Sequence, residues 1–143
     1  MQDDMREIKC RRIVNGYAYG KIIFSEKPIN FLAMIDLTTG KINDENHPLF
    51  NISIKDKILI FPHGVGSSVG AYSIFSLKYN KTAPKAIICT SKTDIITASG
   101  CAISNIPMMD KPEIDLSEII HNVTSIIVNS NDSKIILFDD TIE

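Results

Sequence analysis

From residue 11 onward the apolar residues come in short runs of Ile, Val, Phe and Thr, broken by turn residues about every ten positions, which is the pattern of strands. RRIVNGYAYGKIIFSE predicts two short strands around Gly16 and Gly20, and FLAMIDLTTGKIND predicts an apolar strand that pairs with its own return across Thr39-Gly40. A loop through His47-Pro48 leads to DKILIF, whose near-continuous apolar character predicts a strand covered on both faces. The period then changes. In SVGAYSIFSLKYN, Val69, Tyr72, Phe75 or Ser76, and Tyr79 recur at spacings of three and four, which predicts an amphipathic helix. It is expected to start near Ser67 or Ser68, to stop before Pro84, and to turn Tyr72 and Phe75 into the core. KAIICTS predicts a buried strand and IITASGCAISNIPMMD an irregular β segment. DLSEIIHN predicts a weaker second helix capped by Asp115 or Ser117, and SIIVNSNDSKIILFD a hairpin across Asn131-Asp132.

These elements describe a single β-rich α+β domain over residues 1–143, a barrel or sandwich with one clear helix, and residues 1–10 as a loosely ordered lead-in. A doubly wound sheet calls for more helices than the pattern supplies. The length of 143 residues is enough to bury a core without disulfides or metal.

Charge narrows the partners. With a formal net charge of −2 and no run of Lys or Arg longer than two, nucleic acid is not an expected partner. No apolar stretch approaches the length needed to span a bilayer, and MQDDMREIKCRR lacks the apolar core of a signal peptide. Cys10, Cys89 and Cys101 form no CxxC pair and are odd in number, which predicts a reducing, cytoplasmic setting. Their spacing also lacks the short intervals of ferredoxin-type ligation, so this chain is not expected to hold a metal or cluster by itself. Cys89 and Cys101 read as small buried apolar residues.

The candidate chemistry sits in FPHGVGSSVGAYS, residues 61–73, between the predicted strand and the predicted helix. A tight Gly-x-Gly turn at a helix amino end gathers unpaired N–H groups and a partial positive charge, which favours an anion or a serine alkoxide at Ser67 or Ser68. The phosphate loop GxxxxGK[ST] fails here, because Gly70 is followed by Ala71-Tyr72 and no lysine. The dinucleotide fingerprint GxGxxG fails at Val69, and no parallel βαβ unit is expected to follow. Gly66-Ser67-Ser68-Val69-Gly70 fits the nucleophile elbow GxSxG, with Asp94, Asp110 or Asp115 and then His121 in the order of a hydrolase triad, but the chain is short for that architecture. A purely structural role remains open as well, with glycines for a tight turn and Ser67 as an N-cap. His63, at the mouth of the turn, is a candidate for touching substrate or partner. His47 reads as structural and His121 as exposed. Ala98-Ser99-Gly100 and Asn105-Ile106-Pro107 form a second small-residue segment that could line a site.

Taken together, HPLFNISIKDKILIFPHGVGSSVGAYSIFSLKYNKTAPKAII, the later ASGCAISNIP and the upstream IDLTTGKIND resemble the small subunits of the aconitase X group, over roughly residues 15–110. The resemblance implies the swivelling β/β/α domain of aconitase and a heterodimer with a separate large subunit. It implies dehydration of (R)-mevalonate 5-phosphate to trans-anhydromevalonate 5-phosphate in archaeal isoprenoid biosynthesis. It also implies a 4Fe-4S cluster held by the large subunit as Lewis acid for the leaving hydroxyl, with Ser67 as proton acceptor. His63, Gly64, Gly66 and Ser68 are the substrate-binding positions that follow from it. Aconitase places an arginine after its serine pair. Here Val69-Gly70 stand in those places, so substrate charge is left to the amides of residues 64–68, to His63, or to cations of the large subunit. A hydroxyproline-type dehydratase of the same group and a non-catalytic anion-binding module are the alternatives.

Overall fold

In a computed structural model, which describes residues 5–138, the chain forms eight strands and three helices. β1 (Met5–Lys9) pairs antiparallel with β8 (Lys134–Phe138), and β8 with β7 (Ser125–Asn129). β7 runs antiparallel to the first half of β3 (Tyr17–Phe24), in register Tyr17–Asn129 to Lys21–Ser125. The last three residues of β3 pair instead, in parallel, with β4 (Ile58–Phe61). From there β5 (Ala86–Cys89) and β6 (Met108–Asp110) continue the parallel ladder, and β2 (Arg11–Val14) closes it antiparallel to β6. The order is β1-β8-β7-β3-β4-β5-β6-β2. Its two edge strands are neighbours in sequence, joined through Cys10, so the ribbon bends back on itself like an incomplete barrel.

Alternation along the central strands sorts the core into two halves. Leu59, Phe61, Ile87, Cys89 and Met108 face the helices, where they meet Ile74, Leu77 and Cys101. Ile58, Ile60, Ala86, Ile88 and Met109 face the β7–β8 hairpin and its Ile126, Val128 and Leu137. Each fully buried Ile or Leu contributes about 1.5–3 kcal/mol, and β4 and β5 are buried at every position. The result is three layers, hairpin sheet, central sheet and helices, the β/β/α arrangement that the resemblance implies.

Several expectations are corrected. Residues 5–9 are not a loose lead-in: β1 is ordered by its ladder to β8 and by Ile8, which is 3% exposed. One buried residue per five gives no local signal of a strand. FLAM is not a strand but a single helical turn, α1 (Phe31–Met34), because the Asn30 side chain accepts from the Ala33 amide at its amino end. The return across Thr39-Gly40 survives as an Ile35–Ile42 bridge.

IITASGCAIS is not irregular β but the ten-residue helix α3 (Ile95–Ser104). Asp94 caps it, Asn105 ends it in the left-handed region at φ 56°, and its small residues Thr97, Gly100, Cys101 and Ser104 form the buried stripe. With α2 (Gly70–Tyr79) between β4 and β5, and α3 between β5 and β6, the chain does contain a parallel βαβαβ unit, contrary to expectation, and the glycine turn lies in its first crossover.

A further correction concerns α2 itself. Its buried face is Gly70, Ser73, Ile74 and Leu77, while Tyr72 and Phe75, expected in the core, point to solvent. The second helix expected over DLSEIIHN is instead two short 3-10 turns, the first capped by Asp115 as expected, and the β7–β8 hairpin turns at Ser130–Asp132 as the pattern predicts.

Candidate active site

The parallel strands all end at one edge of the sheet, and the loops that leave that edge carry the polar groups of interest. Ligands gather at this edge in parallel sheets because the following helices present their amino ends there. The loop after β4 is Pro62–Val69, the loop after β5 runs from Thr90 to the Asp94 cap, and β6 ends on Asp110.

Asp94 ties the first two loops together. One of its carboxylate oxygens accepts from the Gly64 amide at 2.6 Å, and the other accepts from the Thr97 amide at 2.8 Å and the Thr97 hydroxyl at 3.0 Å. A Cβ on Gly64 would stand 2.8 Å from that second oxygen and against the Thr97 hydroxyl, so the close approach requires glycine. The other wall is the segment before α1. The Val65 amide donates to the Ile29 carbonyl at 3.0 Å, and at Gly66, with φ +103°, a Cβ would come within 2.5 Å of the Asn30 side chain. His63 is fastened beside the turn, its Nδ1–H donating to the Gly64 carbonyl at 3.0 Å, which leaves Nε2 for another partner.

The turn itself is exposed from Val65 to Val69. The Ser67 carbonyl accepts from the Gly70 amide at 2.8 Å, and its Oγ accepts from the Val69 amide at 3.1 Å. Helix α2 therefore begins two to three residues later than expected, and Ser67 folds back on the chain just before it. Among the described residues, the amides of Gly66, Ser67 and Ser68 have no hydrogen-bond partner. The Gly64 and Val65 amides are spent on Asp94 and Ile29, which narrows the anion-facing donors to those three. An oxyanion at Ser67 Oγ would be met by the Val69 N–H and by the amino end of α2.

The residues missed from sequence are the anchors. Asn30 has no role in the sequence reading, where FLAM is expected as a strand, and Asp94 enters there as a triad acid rather than as a clamp. No triad assembles: Asp94 serves Gly64 and Thr97, Asp115 serves Ser117, and Asp110 serves Arg11 and Thr93. Asp110 has no exposed side chain, and takes the Arg11 guanidinium in two bonds of 2.7 and 2.8 Å and the Thr93 amide at 2.6 Å. Burial works against its charge, but the Arg11 and Thr93 bonds outweigh it and hold the carboxyl below its ordinary 3.8. Ala98-Ser99-Gly100 lies on α3, where Gly100 packs against α2 instead of opening toward a ligand.

His47 is structural, as expected. Its Nδ1 accepts from the Leu49 amide at 3.0 Å, so Nε2 carries the proton to the Pro28 carbonyl at 3.1 Å. The three thiols are buried, Cys89 and Cys101 as expected of small apolar residues, and burial pushes Cys10 and Cys89 up to about 12. Cys10 lies in the hairpin-side core and Cys89 and Cys101 in the helix-side core, so they do not converge. Such thiols do not fit the ligand set of an iron-sulfur cluster, which needs several thiolates at one point. Among the described residues no group of three His, Cys, Asp or Glu could hold a metal ion. No described helix is long and apolar enough to cross a membrane.

A three-layer β/β/α domain with a serine turn at the amino end of its first crossover helix is the swivel type of domain. A model of the aconitase X swivel domain matches residues 7–137, and the chain belongs to that family. Several relatives carry the name phosphomevalonate dehydratase small subunit. The one from Methanothermobacter thermautotrophicus is 40% identical over 129 residues, which are 90% of this chain and 98% of that protein. The one from Methanosarcina mazei is 42% identical, over 90% of this chain and 89% of that protein. The crystal structure of Thermococcus kodakaraensis aconitase X in its holo form superposes with a TM-score of 0.85 at 39% identity, covering 94% of this chain and 99% of that one.

Proposed function

We propose that this chain is the smaller part of a two-subunit hydro-lyase that dehydrates (R)-mevalonate 5-phosphate to trans-anhydromevalonate 5-phosphate, with Ser67 as proton acceptor. The observation that carries the reading is the setting of Ser67 Oγ, exposed at the amino end of α2, taking the Val69 amide and flanked by the free amides of Gly66 and Ser68. The family and the names of the relatives supply the reaction class.

Elimination removes a proton from the carbon beside the substrate carboxylate and a hydroxyl from the next carbon. That C–H is a weak acid, so its base must be strong, and an uncomplemented serine in water is not. An alkoxide held by the Val69 amide and the α2 amino end is, because its charge is met by dipoles already in place. The proton passes to Ser67 Oγ, the C–H electron pair becomes the second bond of the new alkene, and the hydroxyl departs as hydroxide; transfer of the serine proton to that hydroxide gives water and restores the alkoxide. The resemblance assigns the Lewis acid for that hydroxyl, an iron-sulfur cluster, to the large subunit. This chain contributes the base, and it positions it through the Gly64–Asp94 and Gly66–Asn30 contacts. Gly66 and Ser68 amides and the free Nε2 of His63 face the substrate, whose phosphate and carboxylate require further cations from the partner.

Anaerobic co-expression with the aconitase X-type large subunit, followed by a dehydration assay on mevalonate 5-phosphate, tests the assignment. Turnover is expected to need both chains, and Ser67→Ala is expected to lower kcat by about 10²–10⁴-fold with assembly and circular dichroism unchanged. Normal turnover by Ser67→Ala would leave the turn as an anion-binding amide cradle and remove the base.

A further inference from the structure

Helix α2 turns its larger apolar side chains the wrong way for a free-standing domain. Val69, Tyr72, Phe75 and Tyr79 lie along its outer side, with Tyr72 67% and Tyr79 79% exposed. On the neighbouring helix α3, Ile95 and Ile103 are exposed too, Ile95 to 79%. The two helices, ten residues each, carry one charged side chain between them, Lys78. A solvated helix layer ordinarily carries a quarter to a third of charged residues. Aromatic side chains with few charges are instead the composition of a buried interface centre, and a continuous stripe is different from single exposed apolar residues.

From these facts we infer that the outer side of α2 and α3 is the docking surface for the large subunit, and that this surface runs without a break into the serine turn. Val69 is the joint: it heads the stripe and its amide holds Ser67 Oγ. The inference rests on the reading of this chain as half of an enzyme, and it names where the other half sits. Two observations select that occupant. The site at the head of the stripe is incomplete, since the described residues bring no metal-holding cluster to it and the turn lies open to solvent. The stripe also asks for an apolar counter-surface without matching charge, because it offers no charges to pair. The lysine-bordered groove of Lys55, Lys78, Lys81 and Lys85 opens where the loops enter β4 and β5, away from Ser67.

The experiment measures affinity separately from activity. Tyr72→Asp with Phe75→Asp, both at exposed positions, keeps the circular dichroism of the wild-type chain and is expected to weaken binding to the purified large subunit by at least about 30-fold, the loss typical of interface anchors. Tyr17→Ser with Lys81→Glu, in the lysine groove, is expected to bind as wild type. Ser67→Ala is expected to bind as wild type whatever its turnover, so failure of the base assignment leaves the docking result readable. Binding within twofold of wild type by the Tyr72/Phe75 variant overturns the inference. It is equally overturned if sedimentation shows the chain alone dimerising through these residues while the large subunit still binds the variant.

Discussion

Gly64 and Gly66 are the two residues where a hydrogen atom in place of a side chain decides the shape of the site. Gly64 lets the turn touch the clamp of Asp94 and Thr97, and Gly66 adopts φ +103° hard against Asn30. Gly66→Ala meets both a strained backbone and a 2.5 Å contact, so it is expected to displace Ser67 and cut kcat more than tenfold while the melting temperature changes little, as the turn is exposed. Asp94→Ala removes the α3 cap and strands the buried Gly64 amide. A loss of about 2 kcal/mol in urea unfolding is expected, with a fall in kcat as the turn loosens. The thiols of Cys10 and Cys89, raised to about 12, predict that native protein resists iodoacetamide at pH 8, whereas all three cysteines react once it is unfolded.

At the scale of elements, the α2–α3 contact governs both the site and the face beside it. A Cβ at Gly100 would lie 2.6 Å from Ile74 Cδ1 and 3.2 Å from the Ala71 carbonyl, so these helices pack at backbone distance. Gly100→Leu is expected to destabilise the fold by about 1–3 kcal/mol in thermal or urea unfolding. Because it pushes α2 outward at Ala71, it also displaces the Ser67 turn and lowers turnover. The link between β2, β6 and the loop before α3 is electrostatic. Asp110 is held below its ordinary 3.8 in the fold, so the stabilisation it gives is fully present above that value and is lost as pH falls through its lower folded one. Stability measured by urea unfolding across pH 5 to 2 is expected to drop more steeply for wild type than for Asp110→Asn.

Across the whole molecule, β1 and β2 form the two edges of the ribbon, one on each side of Cys10 in the chain. Deleting residues 1–9 bares the β8 edge and uncovers the core that Ile8 seals. The truncated chain is expected to melt several degrees lower and to aggregate on concentration, which light scattering would register.

The sequence by itself determined the α+β class, the strands β3 to β5, the terminal hairpin and the position of the serine turn. Those features are local: period-two or continuous apolar runs bounded by glycine, and a glycine-serine cluster at a strand-helix junction, are written within ten residues of one another. Ser67, Ser68, His63, Gly64 and Gly66 all stand within positions 63–68, which marks the segment, while the separate roles given to them follow from the family resemblance. Tertiary structure alone decided the rest. Both stripes of α2 have helical spacing, and only the position of α3 and the central sheet showed that Ser73, Ile74 and Leu77 go inward and the aromatics outward. Isoleucines, threonine and glycine read as strand in α3 until Asp94, held by Gly64 thirty residues away, fixed its amino end. Met5–Lys9 became a strand because β8 offered an open edge. A hydrogen bond or a packed face between residues distant in the chain has no local period, so it is decided only when the fold brings them together.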